Sequence, residues 1–290
     1  MYFARRYLLI MLFSSLFSVI SFAEETPSDP VDDANPVTEQ ADPPSESSAN
    51  DFDKWPQPPS QTQLLSQDLT QTYLPENTIE LDPDKQITVV VHQSQHSPTK
   101  GYVLVQPQWD SVPFDLRKTQ MHKTLTRKGW HVITLLPQRK LILNGSPEEK
   151  AQQYEQYLTE TAERLAAIAQ LPETQSGHAV MIAEQNMAVT MLSLYRQQLS
   201  PLPDAIVLLA ANQLSTSENQ ALANDLSGIS IPVLDIFQTS PQQISPLQEV
   251  RAQAAQKSGK RSFRQLALTS SFIDEDIGKY INGWTKSLGY

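Results

Sequence analysis

The chain has 290 residues and a formal net charge of −10, with 39% hydrophobic and 19% charged residues and no cysteine. That length holds one large domain with extensions. Without cysteine, disulfides, thiolate-bound zinc, iron–sulfur clusters and thiol catalysis are excluded, and no cofactor-binding pattern is present.

Arg5 and Arg6 precede an apolar run over residues 7–22, and Ser21-Phe22-Ala23 ends it with small residues. This pattern predicts a signal peptide (residues 1–23) cleaved after Ala23, and so an exported, periplasmic protein. Ser14, Ser15, Ser18 and Ser21 interrupt the run, which is shorter than the ~20 apolar residues of a spanning helix. The alternative is an uncleaved N-terminal anchor in the inner membrane. No later stretch is apolar enough to span a bilayer.

Residues 24–60 carry ten acids, and Lys54 is their only base, so this segment holds −9 of the chain's −10. Pro, Ser and Ala fill the rest. Such a segment buries too little apolar surface to offset its ordering entropy and is expected to be a disordered linker. It reads as a spacer or as an acidic arm for a basic partner. The remainder is almost neutral, which removes the electrostatic case for nucleic acid.

From residue 61 strands and helices alternate. A short helix is predicted over 63–70. Strands follow at 78–81 and 87–92, then the apolar run Gly101-Tyr102-Val103-Leu104-Val105-Gln106. Leu116, Met121 and Leu125 have helical spacing, and Gly129 ends that helix. Residues 130–137 form the next strand. Ser146-Pro147-Glu148-Glu149 is a capping box with proline at the first helical position. It opens a long helix whose predicted buried face is Ala151, Tyr154, Leu158, Ala162, Leu165 and Ile168/Ala169, ended by Leu171-Pro172. Strand and helix then alternate at 178–183 and 187–199, 205–211 and 218–226, and 231–237 and 247–256. A last strand, 263–268, precedes a final helix at 274–288. Six apolar strands joined by helices predict right-handed crossovers and a doubly wound, mostly parallel α/β sheet over residues 61–290.

This order resembles the α/β-hydrolase core. More narrowly, residues 60–290 resemble an uncharacterised exported family of Gram-negative bacteria, domain of unknown function thirty-five thirty. The residues that carry the likeness are Lys100-Gly101-Tyr102-Val103-Leu104-Val105, Trp109, Lys128-Gly129-Trp130, Leu135-Leu136-Pro137, Ile231-Pro232-Val233-Leu234-Asp235-Ile236, Phe263-Arg264-Gln265-Leu266 and Trp284. The resemblance implies fold and export. It implies no activity.

A hydrolase of this fold places Gly-x-Ser-x-Gly at a strand-to-helix turn. The corresponding residues are Ala183-Glu184-Gln185-Asn186-Met187. Gln185 falls at the tip, and a carboxamide is not a nucleophile. No Ser, Cys, Thr or Asp lies between Ala179 and Val189. Asn186 reads as a helix N-cap. All five histidines (His92, His96, His122, His131 and His178) precede the turn, whereas the triad order requires one after it. The loop after 231–237 offers no carboxylate before Glu249, and Asp235 reads as structural. After Val105 stands Gln106-Pro107 in place of glycine, and proline has no N–H for an oxyanion.

His92 and His96 flank a polar turn rather than forming a metal pair. His131 and His178 read as packing or hydrogen-bonding residues, and Trp109 and Trp130 as core or rim. Arg139-Lys140 and the basic residues of 257–261 read as solvated faces. Glu184 lacks a nearby partner for acid–base work.

The sequence therefore predicts no catalytic residue, no metal and no cofactor. It predicts a pseudoenzyme that binds a small ligand or envelope protein at the former active-site crevice, rimmed by Gln106, Trp109, Glu184, Gln185 and Ser240. One alternative is an esterase-like hydrolase with a displaced set around Ser193, Ser270 or Ser271. The other is an envelope scaffold that recruits through the linker.

Overall fold

In a computed structural model, the residues described are Leu64, 77–85, 87–110, 116–211, 215–239, 246–268 and 276–290. The expected signal peptide and linker, and all but Leu64 of the expected helix at 63–70, lie outside them. The chain divides into two units, Met1–Pro56 and Gln57–Tyr290, and the described residues belong to the second.

Eight strands form one sheet: β1 (Thr78–Asp82), β2 (Ile87–His92), β3 (Gly101–Gln106), β4 (Trp130–Leu135), β5 (His178–Glu184), β6 (Ala205–Leu209), β7 (Val233–Gln238) and β8 (Phe263–Leu268). Their order is β1-β2-β4-β3-β5-β6-β7-β8. The six strands from β4 to β8 run parallel, while β2 is antiparallel to both β1 and β4. This is the expected doubly wound, mostly parallel sheet in α/β-hydrolase-like order. The β1–β2 register shifts between Glu80 and Asp82, a bulge on the outermost strand.

The helices are α1 (Leu116–Thr126), α2 (Pro147–Ile168), α3 (Asn186–Arg196), α4 (Thr216–Gly228), α5 (Pro246–Lys257) and α6 (Ile277–Ser287). They cover both faces. One core layer joins α2 and α3 to the sheet through Leu158, Leu165, Met191 and Leu192. The other joins α1 and α6 to it through Met121, Leu125, Ile281 and Trp284. Buried on both sides, the central strands must be continuously apolar, as Ala205–Leu209 is. No helix among the described residues is long and apolar enough to cross a membrane.

The capping box at Ser146 forms as read, with Ser146 accepting from the Glu149 N–H and Glu149 accepting from the Ser146 N–H. An equivalent box, Ser215 with Glu218, starts α4 two residues before the predicted helix. The buried stripe of α2 differs from the apolar spacing. Ala151 and Ala169 are exposed, while Tyr157, Thr161 and Arg164 are buried beside Leu158, Leu165 and Ile168. The helix turns this face to the β4 end because its polar groups find partners there: Arg164 donates to the Leu136 carbonyl at 2.6 Å and Thr161 to Gln138 at 2.9 Å.

Candidate functional site

The turn between β5 and α3 holds an unusual backbone conformation. Gln185 sits there at φ 46°, ψ −117°, a region that L side chains rarely adopt. Its N–H donates to the Leu209 carbonyl of β6 at 2.9 Å, which holds the turn against the neighbouring strand. Ala183 and Ala188, both fully buried, keep the flanks narrow. The sequence places a strained strand-to-helix tip at Gln185, and the backbone has one there. Asn186 is not the N-cap expected of it. Gln185 occupies that position without a side-chain cap bond, and Asn186 is the first helical residue.

Strain of this kind costs about 1–3 kcal/mol in a non-glycine residue. Gln185→Gly is expected to raise stability by about 1 kcal/mol in urea unfolding, once the extra freedom of glycine in the unfolded chain is subtracted.

The predicted rim residues take different positions. Gln106 is fully buried at the end of β3, its Nε2 donating to the Pro107 carbonyl at 3.4 Å and its Oε1 without a partner. Glu184 is buried at the end of β5, whereas Gln185 is exposed. Trp109 is half-buried, with the Lys140 ammonium 4.8 Å from its ring centre. Ser240 lies outside the described residues, as do Ser270 and Ser271.

Beside the turn opens a cleft of about 530 Å³, and of the predicted rim only Trp109 lines it. Gln108 and Trp109 come from the loop after β3, and Lys140, Leu141 and Leu143 from the loop after β4. Asn186, Met187 and Ser193 come from α3, Tyr154 and Tyr157 from α2, and Glu218 and Asp225 from α4. Met187 stands where a hydrolase carries its second glycine. Its bulk is accommodated under α2, where the Tyr157 hydroxyl meets its sulfur at 3.5 Å. Burial pushes the Tyr157 phenol up to about 12.

Sequence reading missed the polar floor of this cleft. Ser193 donates to Asp225 Oδ2 at 3.2 Å, and Tyr154 lines the same cleft. Burial raises the Asp225 carboxyl above its ordinary range, while the Ser193 bond and Arg196 pull it back. The three residues come from three helices, so no spacing rule joins them. The only local signal is a serine facing inward at Ser193, in an otherwise apolar stretch of α3.

Elsewhere the residues read as structural do structural work. Asp235 and Arg251 form a fully buried ion pair at 2.8 Å. His131 accepts from the Ser94 N–H, His96 Nε2 meets the Arg127 carbonyl at 2.7 Å, and His178 lies 3.4 Å from Asp204. The ring of His92 faces His122 at 4.9 Å rather than His96, and burial lowers its pKa. Trp130 is fully buried core. Lys260 departs from the expected solvated face, since its ammonium donates to the Ile229 and Ile231 carbonyls. No group of three or more His, Cys, Asp or Glu suited to a metal occurs among the described residues.

Residues 143–287, half of the chain, match the family described as protein of unknown function (DUF3530). The chain belongs to that family. The matched span includes the β5–α3 turn and most of the cleft. No curated protein matches the chain. Among solved structures it is similar to the esterase domain of a Rhodothermus marinus protein, at 12% identity, 69% of this chain, 92% of that one and a TM-score of 0.48. It is likewise similar to a dienelactone hydrolase from Anabaena variabilis, at 14% identity, 69% and 91% coverage and a TM-score of 0.48. A third is Est1E from Butyrivibrio proteoclasticus, at 6% identity, 70% and 92% coverage and a TM-score of 0.48.

Proposed function

We propose that this DUF3530 member is an exported, non-catalytic protein that binds a ligand in the cleft beside the β5–α3 turn. The observation that carries the reading is Gln185. It holds the strained tip at which a hydrolase presents its nucleophile, with an amide that cannot attack a carbonyl. Gln106-Pro107 follows β3 where glycine would free N–H groups for an oxyanion, and each of the five histidines precedes the turn. The cleft remains, with apolar walls and a few polar groups, which is the make-up of a binding pocket. The export reading rests on residues 1–23.

A displaced catalytic set has one observation in its favour, the hydrogen bond from Ser193 to Asp225. It lacks a base, because no histidine lines the cleft. Fluorophosphonate labelling of the purified protein, run with a panel of esters, tests the proposal. No labelled serine and no turnover are expected, in the wild type and in Gln185→Ser alike. A single labelled serine in the wild type, mapped by mass spectrometry, would sink the non-catalytic reading and return attention to Ser193, Ser270 and Ser271.

A further inference from the structure

The cleft holds a half-buried carboxylate that forms no ion pair with the described residues, and a buried amide oxygen without a donor. Asp225 receives one hydrogen bond, from Ser193 to Oδ2, and Oδ1 receives none from the described residues. No cation among the described residues forms an ion pair with it. The nearest influence is Arg196, whose guanidinium is engaged at the Gly228 carbonyl. Gln108 is buried and its Oε1 has no donor, while its Nε2 is turned to Asp110. Glu218 is taken up in the cap of α4. The one cation among the described lining residues is Lys140, held over the Trp109 ring. Two carboxylates thus share the cleft with one ammonium. Asn186 and Thr190 add polar groups, and the rest of the wall is apolar or aromatic, with Leu141, Leu143, Met187 and Val189 beside the two tyrosines.

A half-buried carboxylate with one hydrogen bond and no ion-pair partner is under-compensated, and a ligand that brings a charge and N–H donors together corrects both deficits. An anion would meet two carboxylates and find only Lys140. A neutral alcohol would supply a donor but no charge.

Resting on the binding reading above, we propose that the cleft takes an amphipathic amine, its ammonium held at Asp225 and its apolar body against Trp109, Leu141 and Leu143. Ser193, which donates to Asp225 Oδ2, is a positioning residue for the carboxylate.

Calorimetric titration of the full chain with phenylbutylamine, phenylbutanol and phenylbutyrate tests this, since the three share one body and differ only in the head group. The amine is expected to bind about tenfold tighter than the alcohol, and the acid weakest of all. In Asp225→Asn the amine should fall to the affinity of the alcohol. Added salt should weaken the amine and leave the alcohol unchanged, a readout on the wild type that does not depend on any variant folding. Trp109→Ala should weaken all three ligands together. If the acid binds as well as the amine and Trp109→Ala still weakens both, the ligand class is wrong and the cleft reading stands. If none of the three binds, or if Trp109→Ala changes nothing, both readings fail.

Discussion

Asp235→Ala should cost about 3–5 kcal/mol in urea unfolding, the loss expected when one half of a buried ion pair is removed. Asp235 on β7 and Arg251 on α5 are both fully buried and joined by two hydrogen bonds, at 2.8 and 3.2 Å. Gln265 on β8 adds a third donor to the same carboxylate at 2.9 Å and ties itself to the Gln248 carbonyl. Arg251 Nη1 already lacks a partner, so without Asp235 the guanidinium is left charged and dry. The cost is that of the orphaned cation rather than the worth of the pair. The double variant Asp235→Leu with Arg251→Met removes both charges and should recover most of the loss. A double variant no more stable than Asp235→Ala would show that the packing, not the unpaired charge, sets the cost.

Gly101→Ala is expected to be nearly as severe, about 3–5 kcal/mol from backbone strain and overpacking together. Gly101 opens β3 at φ +137°, and a Cβ there would lie 2.1 Å from the His178 oxygen and 2.2 Å from its nitrogen. Both atoms belong to the backbone of β5, the strand paired with β3 from Gly101 onward, so neither can swing aside. The strain therefore reaches the two strands whose far ends carry Gln106 and Gln185. The control is Gly283→Ala on the exposed side of α6, where nothing lies within 4 Å of the added carbon. That change should gain about 0.5–1 kcal/mol from helix propensity. Thermal melts of the two variants should move in opposite directions.

Much of the frame is legible in the sequence because it is set by local chemistry. β2, β3 and β8 begin and end where the apolar runs do. Ser146 and Glu149 announce α2, since a capping box is a contact between neighbours in sequence. Gln185 is legible as the tip because a small Ala183 stands near the end of a buried strand just before a helix. Asn186 is misread because capping preference is a weaker guide than the geometry of the turn that contains it. The buried face of α2 goes astray at Thr161 and Arg164, which spacing alone scores as polar and exposed but which tertiary partners draw inward. The cleft floor is the hardest to see. Tyr154 reads only as part of a buried helix face and Ser193 only as a candidate for a displaced set, Asp225 is unremarked, and the three acquire a joint meaning only where three helices meet. Arg251 is hidden from sequence reading for the same reason, its partner Asp235 lying across the boundary between helix and sheet.

The bulge in β1 bears on how the molecule meets its neighbours in a crowded compartment. An outermost strand offers unpaired amides and carbonyls to any passing chain, the first step of sheet-by-sheet association. Here the flat template ends between Glu80 and Asp82, where the register against β2 slips. Glu80 is exposed on this short strand and Asp82 lies partly so, which puts negative charge on the approach. A foreign strand could match only the first few residues before meeting a kink and two carboxylates. The device favours a protein that stays discrete at high concentration and leaves its recognition surfaces to other parts of the fold.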